Sequence, residues 1–189
     1  MEAFESGFKQ VIWLTSPMDD QEINRLKENY LYSTSDRKNN AISSYKHVTD
    51  YWFFQSERVK LEFEKEVISE IITNGIFNDE KIGMFLGFPP AAVRNFAKLQ
   101  KDKECGLYER RVGVDYAGIR FMSYEDSILE DLKWLKDNLE IPNEYKAHLG
   151  INFMGDRSKP YLRSSHHDDK GFKEMLEKIE NELCSKVVS

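Results

Sequence analysis

The run KIGMFLGFPPAAVRNFA, residues 81–97, constrains the fold more than any other stretch, because Gly-Phe-Pro-Pro interrupts a helical pattern at its centre. Glycine commonly ends a helix, whereas proline cannot continue one but is well suited to its first turn. The pattern therefore predicts one helix that starts at an Asn78 cap and stops at Gly87. It predicts a second helix from about Pro90 to Lys101.

The start of the second helix is a candidate anion-binding site. The first amides of a helix have no intrahelical partner, and the positive end of the helix dipole lies there. Arg94 lies in the first turn, and the hairpin that follows carries Arg110 and Arg111, of which one is expected to join it, because neighbours on a strand point to opposite faces. The predicted ligand-binding residues are Phe88, Pro90, Ala91, Arg94, Arg110 and Arg111.

A purely structural interpretation of the same break stays open. Gly83, Gly87, Ala91 and Ala92 are small enough to let two helix backbones approach closely. In that case the two helices form a tight, buried hairpin, and the phenylalanines Phe85, Phe88 and Phe96 serve as packing.

The segment IGMFLGFPPAAVRNF, residues 82–96, resembles the IGLFLGYP motif of an uncharacterised bacterial family of unknown function. In that family the prolines are likewise followed by a valine and a phenylalanine, which correspond to Val93 and Phe96. An acidic pair follows the family's prolines, and here Ala91 and Ala92 replace it. The resemblance implies a shared helical corner and carries no activity with it.

Composition predicts a globular protein and limits its partners. The 189 residues are 40% hydrophobic, which suffices for a core, and the length suggests a single domain over residues 1–189. The formal charge of −6 argues against nucleic-acid binding through the overall field. Cys105 and Cys184 have no paired spacing, and no apolar run is long enough to span a membrane, so we expect a cytoplasmic protein with no cofactor.

Periodicity predicts a helix-rich α+β fold with a small, mainly antiparallel sheet. The aromatic cluster Tyr51–Phe54 is interpreted as core, although an exposed cluster would favour a contact surface for a protein partner. The expected elements are a strand at 11–14, a helix from Ser16-Pro17, a loop at 32–40, a helix at 57–73, a hairpin at 107–121, a helix capped by Ser123 that ends at Pro142, a strand at 150–154 and a helix at 169–184.

The sequence His166-His167-Asp168-Asp169 is the candidate for metal binding or acid–base chemistry, because imidazole and carboxylate are ligands for zinc and iron. Adjacent residues on an extended chain point in opposite directions, whereas metal ligands must converge. The alternative is a solvated loop that leads into a helix cap.

Three functional hypotheses follow. The first is a non-catalytic binding protein for a small phosphorylated, nucleotide-like ligand; the small size and Lys/Asn/Ile/Glu-rich composition suggest an accessory protein of a phage or mobile element. The second is a protein-interaction module or an inhibitor of a host protein. The third is a metal-dependent hydrolase that uses the loop from His166 to Asp169. Homo-oligomerisation is left open.

Overall fold

The computed structural model describes residues 1–38, 47–75, 77–141, 148–155, 159–164 and 169–184. Its internal contacts divide the chain into two compact units. Met1 and residues 3–87 form the first unit, and Glu2 and residues 88–189 form the second. Each unit has its own antiparallel sheet, so the strands form two small sheets rather than the single one expected.

The sheet of the first unit has three strands in the order β1-β3-β2. They are β1 (Val11–Ser16), β2 (Leu31–Lys38) and β3 (His47–Phe54), and both pairings are antiparallel. The predicted strand at 11–14 is confirmed. The predicted loop is wrong for residues 32–38, because β2 alternates exposed Tyr32 and Thr34 with buried Ser33 and Ser35. Its inward side chains are polar, so the usual apolar alternation of a strand is missing.

The helices of this region are α1 (Glu2–Glu5), α2 (Asp20–Lys27), α3 (Glu57–Phe63), α4 (Ser69–Asn74) and α5 (Asp79–Phe85). The predicted helix at 57–73 is confirmed as α3 and α4 joined by a π-helical turn, Glu64–Ile68. Gly75 ends it with a φ of 66°, a left-handed conformation that glycine adopts without a Cβ penalty. A helix start at Ser16-Pro17 is wrong, since Ser16 closes β1.

The aromatic cluster on β3 forms the core of the first unit, which confirms its interpretation as core. Phe53 packs with Phe4, Ile23 and Leu26 on one face of the sheet. Trp52, on the other face, stacks on Trp13 with ring centres 4.9 Å apart. Trp52 and Phe53 are both 0% exposed, so these two rings offer no surface to a protein partner.

A buried carboxylate lies among these aromatic rings. Asp50 on β3 is 0% exposed and accepts hydrogen bonds from Trp13 Nε1 at 2.8 Å and Thr15 Oγ1 at 2.9 Å. A buried charge is tolerated only when such donors replace its water. Asp50 therefore ties β3 to β1 through side chains as well as through the backbone.

We expect Asp50→Ala to lower the free energy of unfolding by about 3 kcal/mol, because it leaves the indole N–H and the threonine hydroxyl without their acceptor. Asp36→Ala is the matched control, since exposed Asp36 on β2 accepts from Thr49 at the surface; it should cost no more than about 1 kcal/mol. Denaturant titration measures both changes. Equal losses in the two variants would contradict the role given to Asp50.

The second unit contains a four-stranded antiparallel sheet with the order β5-β4-β6-β7. Its strands are β4 (Arg111–Tyr116), β5 (Ile119–Tyr124), β6 (Leu149–Phe153) and β7 (Leu162–Ser164). The helices are α6 (Pro90–Lys101), α7 (Ile128–Asn138) and α8 (Asp169–Cys184), and a 3-10 turn spans Tyr108–Arg110. One face of the sheet is buried, with Val112, Val114, Tyr116, Leu149, Ile151 and Phe153.

Most predictions for the second unit are confirmed: the hairpin, the strand near 150–154, and the helices at 90–101 and 169–184. The hairpin turns at Ala117 and Gly118, with φ values of 53° and 81°. Ser123 as a helix cap is wrong, because it lies within β5 and α7 begins at Ile128. Pro142 lies outside the described residues.

These elements confirm the helix-rich α+β class with antiparallel strands. No helix in the described part of the chain is long and apolar enough to cross a membrane.

Candidate functional site

The start of α6 has the local structure that the sequence predicts, but its amides have protein partners. Pro90 is the first helical residue and has no N–H to offer. The Ala92 N–H donates to Asp131 Oδ1 at 3.1 Å, and the Val93 N–H donates to Pro89 O at 3.0 Å. A carboxylate from α7 therefore binds the amide of Ala92, next to Ala91, which the sequence assigned to the ligand and which is itself buried.

Asp131 is held in this position by several donors. It is 0% exposed, and Oδ2 accepts from Ser123 Oγ at 2.6 Å and from Ser127 Oγ at 3.1 Å. Burial raises the pKa of Asp131, while the hydrogen bonds from Ser123, Ser127 and Ala92 act in the opposite direction and do not cancel it. The carboxylate joins α6, β5 and α7 at one point.

A raised pKa means that the folded protein holds this proton to a higher pH than the unfolded chain does, so the contribution of Asp131 to stability falls as the pH rises through that interval. We expect the unfolding free energy of the wild type, measured relative to Asp131→Asn, to decrease as the pH rises above about 4, the ordinary pKa of an aspartate. Asp137→Asn, exposed on the same helix, controls for the loss of one charge. If the unfolding free energy of the wild type relative to Asp131→Asn increased with pH instead, ionisation of Asp131 would stabilise the fold, and the prediction would be wrong.

The predicted arginines do not share one set of contacts. Arg94 is exposed, and Arg110 forms an ion pair with Asp126 and lies 4.0 Å from Glu125. Arg111 Nε donates to the backbone oxygen of Tyr108 at 2.7 Å, and the Arg111 guanidinium lies 3.5 Å from the centre of the Tyr108 ring.

Phe88, the remaining predicted site residue, stacks against Phe121 with ring centres 5.8 Å apart. This contact is the packing role that the structural interpretation of the break predicts for it. The start of α6 is therefore a buried helix terminus, and its amides at Ala92 and Val93 donate to acceptors within the protein.

The other face of the four-stranded sheet carries a different arrangement. Strand register pairs Arg120 with Asp115, Asp115 with Gly150, and Gly150 with Arg163. Directly opposed residues of antiparallel strands project from the same face. These four residues, which we call the arginine row, therefore cross all four strands on the face opposite Val114 and Ile151.

An open depression of about 240 Å³ lies along three residues of this row, Arg120, Asp115 and Gly150. Its floor includes Gly113 and Gly150, and its walls include Asp115, Arg120, Asn152 and Tyr161. A Cβ atom at Gly150 would lie 2.2 Å from the Tyr161 hydroxyl, so glycine lets that ring reach the sheet. Arg163 extends the row on the next strand.

Asp115 organises the end of the depression next to the hairpin turn. Its Oδ1 accepts from the Gly118 N–H at 3.1 Å, and its Oδ2 accepts from Arg120 Nε at 2.8 Å and lies 3.2 Å from His148 Nε2. Burial alone would raise the pKa of Asp115, but the bonds from Arg120 and His148 outweigh it and hold that pKa below its ordinary value. Asp115 is therefore a carboxylate at neutral pH.

The sequence hypotheses do not include this site. Neither Asp115 nor His148 is among the predicted ligand-binding residues. The alternation in β4 and β5 could have indicated that Asp115 and Arg120 face away from the core. Gly150 and Arg163 lie 30 or more residues further along the chain from Arg120, and only strand register brings them into one row.

The predicted histidine–aspartate site is only partly visible. His166, His167 and Asp168 lie outside the described residues, whereas Asp169 begins α8 and pairs with Lys136 at 2.9 Å. Within the described ranges, no group of three or more histidine, cysteine, aspartate or glutamate residues could hold a metal ion.

Comparisons with protein-family models, with curated proteins and with solved structures find no match to this chain. The resemblance of residues 82–96 to the IGLFLGYP motif therefore stays a prediction.

Proposed function

We propose that this protein is a non-catalytic binding protein that holds a small phosphorylated, nucleotide-like ligand in the depression along the arginine row. The observation that carries the proposal is the row itself, which has one arginine at each end on one sheet face: Arg120 lines the depression, and strand register places Arg163 next to Gly150. The depression is smaller than the 300 Å³ or more typical of enclosed ligand pockets, which suits a small ligand that is partly exposed.

Both arginines have donors to offer. The Arg120 side chain is 80% exposed and uses Nε for Asp115, so its two terminal nitrogens remain directed to solvent. Arg163 is exposed and has no ion pair among the residues that the structure describes. Guanidinium groups bind phosphate through paired, charge-assisted hydrogen bonds, so each arginine can bind one phosphoryl group.

The rest of the depression suits the uncharged part of a nucleotide. Tyr161 is 58% exposed and offers an aromatic face on which a base can stack. The exposed amide of Asn152 offers both a donor and an acceptor to the edge of a base. Asp115 keeps about one acceptor position that a ribose hydroxyl can use, because a carboxylate accepts about four hydrogen bonds and three partners contact it here.

This location replaces the start of α6 in the binding hypothesis. Pro90 lacks an N–H and the Ala92 N–H already has a carboxylate partner, so few amides remain there for a phosphate. Arg94 is consequently a useful control, since the original location predicts that its loss weakens binding.

Thermal unfolding in the presence of nucleotides tests the proposal. Because a ligand that binds only the native state raises stability, at least one nucleotide at 1 mM should raise the Tm of the wild type. Arg120→Gln and Arg163→Gln should each reduce that shift by at least about half, since each removes a charge-assisted contact with phosphate worth about 1.5–3 kcal/mol.

Two variants control for a general loss of positive charge. Arg94→Gln reports on the α6 start, and Arg58→Gln removes an arginine on α3 whose side chain is 81% exposed. Both should keep the wild-type shift. If Arg94→Gln abolished the nucleotide-induced rise in Tm and Arg120→Gln kept it, the ligand would bind at the start of α6 instead. If no nucleotide raised the Tm of the wild type, the proposal would be rejected.

The other hypotheses lack comparable support. Protein interaction through Tyr51–Phe54 loses its surface because Trp52 and Phe53 are buried. Hydrolysis at His166–Asp169 and a phage or mobile-element origin stay predictions. We place the protein in the cytoplasm, which the two free thiols, Cys105 and Cys184, support, since disulfides are rare in reducing compartments.

A further inference from the structure

The two arginines occupy the outer strands of the four-stranded sheet. Arg120 lies on β5 and Arg163 on β7, with β4 and β6 between them. Since adjacent strands are about 4.8 Å apart, three steps separate the two Cα atoms by about 14 Å. The row therefore has two positive ends rather than one positive centre.

The middle of the row disfavours an anion. Its central residues are Asp115 and Gly150, and Asp115 is ionised at neutral pH because Arg120 and His148 bond to it. A single phosphate placed midway between the arginines would face this carboxylate at close range, and like charges that close repel. The Tyr161 ring covers Gly150, with its hydroxyl where a Cβ of Gly150 would lie, so the middle of the row offers an uncharged aromatic surface to a flat or sugar-like group.

We propose that the ligand of this site carries two anionic groups separated by an uncharged portion, one group for Arg120 and one for Arg163, with the uncharged portion against the Tyr161 ring that covers Gly150. This inference rests on the function proposed above and adds the chemical class of the ligand. Nucleosides phosphorylated at two separate positions have this pattern. Pyrophosphate does not have it, because its two phosphoryl groups share one oxygen.

Isothermal titration of the full chain with defined probes tests the inference. The probes are adenosine 5′-monophosphate, adenosine 3′,5′-bisphosphate and inorganic pyrophosphate. Because the second contact is made within a complex that has already formed, the bisphosphate should bind at least about tenfold more tightly than either other probe. Tenfold corresponds to about 1.4 kcal/mol.

Arginine variants distinguish two-ended binding from simple charge attraction. Arg120→Gln and Arg163→Gln should each reduce the advantage of the bisphosphate over the monophosphate to less than about threefold, because either change leaves one phosphoryl group without its arginine. The double variant should lose little more of that advantage, since each single change already breaks the second contact. Arg58→Gln should keep the full advantage.

The outcomes separate this inference from the proposed function. Binding of the monophosphate and the bisphosphate with equal affinity, still sensitive to Arg120→Gln, would overturn the two-anion ligand and leave the proposed function intact. The same holds if pyrophosphate binds as tightly as the bisphosphate. Failure of all phosphorylated probes to bind the wild type would overturn both.

Discussion

The register of the four-stranded sheet is the constraint on which the candidate site depends. Arg120, Asp115, Gly150 and Arg163 come from four strands, and they share a face because each pair is directly opposed. A slip of one residue in any pairing would move one member to the buried face, where a charged side chain is costly. The apolar side chains of Val114 and Ile151 fix the register by filling the other face.

The start of α6 is occupied by a carboxyl group of the protein itself. Helix amides attract anions and other hydrogen-bond acceptors, and here Asp131 of α7 supplies the acceptor to the amide of Ala92. The arrangement uses the helix end for packing, with Ser123 and Ser127 completing the hydrogen bonds. A helix start that looks like an anion site in sequence therefore cannot be assigned to a ligand until the carboxylates near it are known.

Local signals in the sequence are strong enough to predict most elements. The Pro-Pro pair predicts the bounds of α6, and the apolar stripe from Phe172 to Leu183 predicts α8. β2 is missed because its inward residues are serines, of which Ser33 donates a hydrogen bond to the half-buried Glu64. Ser123 is misread as a cap because a serine before an apolar stripe looks the same whether it begins a helix or, as here, ends a strand and bonds to Asp131.

The site is harder to predict than the fold, because its residues are neighbours only in space. Arg120 and Asp115 are close in sequence, but Gly150 and Arg163 join them through β6 and β7. Glycines on a sheet face look like strand breakers in sequence, whereas here Gly150 makes room for the Tyr161 ring.

The most direct measurement of where an anion binds is an NMR titration of ¹⁵N-labelled full-length protein with adenosine 3′,5′-bisphosphate, followed through backbone amide shifts. The account predicts that the largest changes fall on β4, β5, β6 and β7 at Asp115, Arg120, Gly150 and Arg163. Changes confined to Ala91, Ala92 and Arg94 at the start of α6, with the sheet amides unmoved, would contradict it.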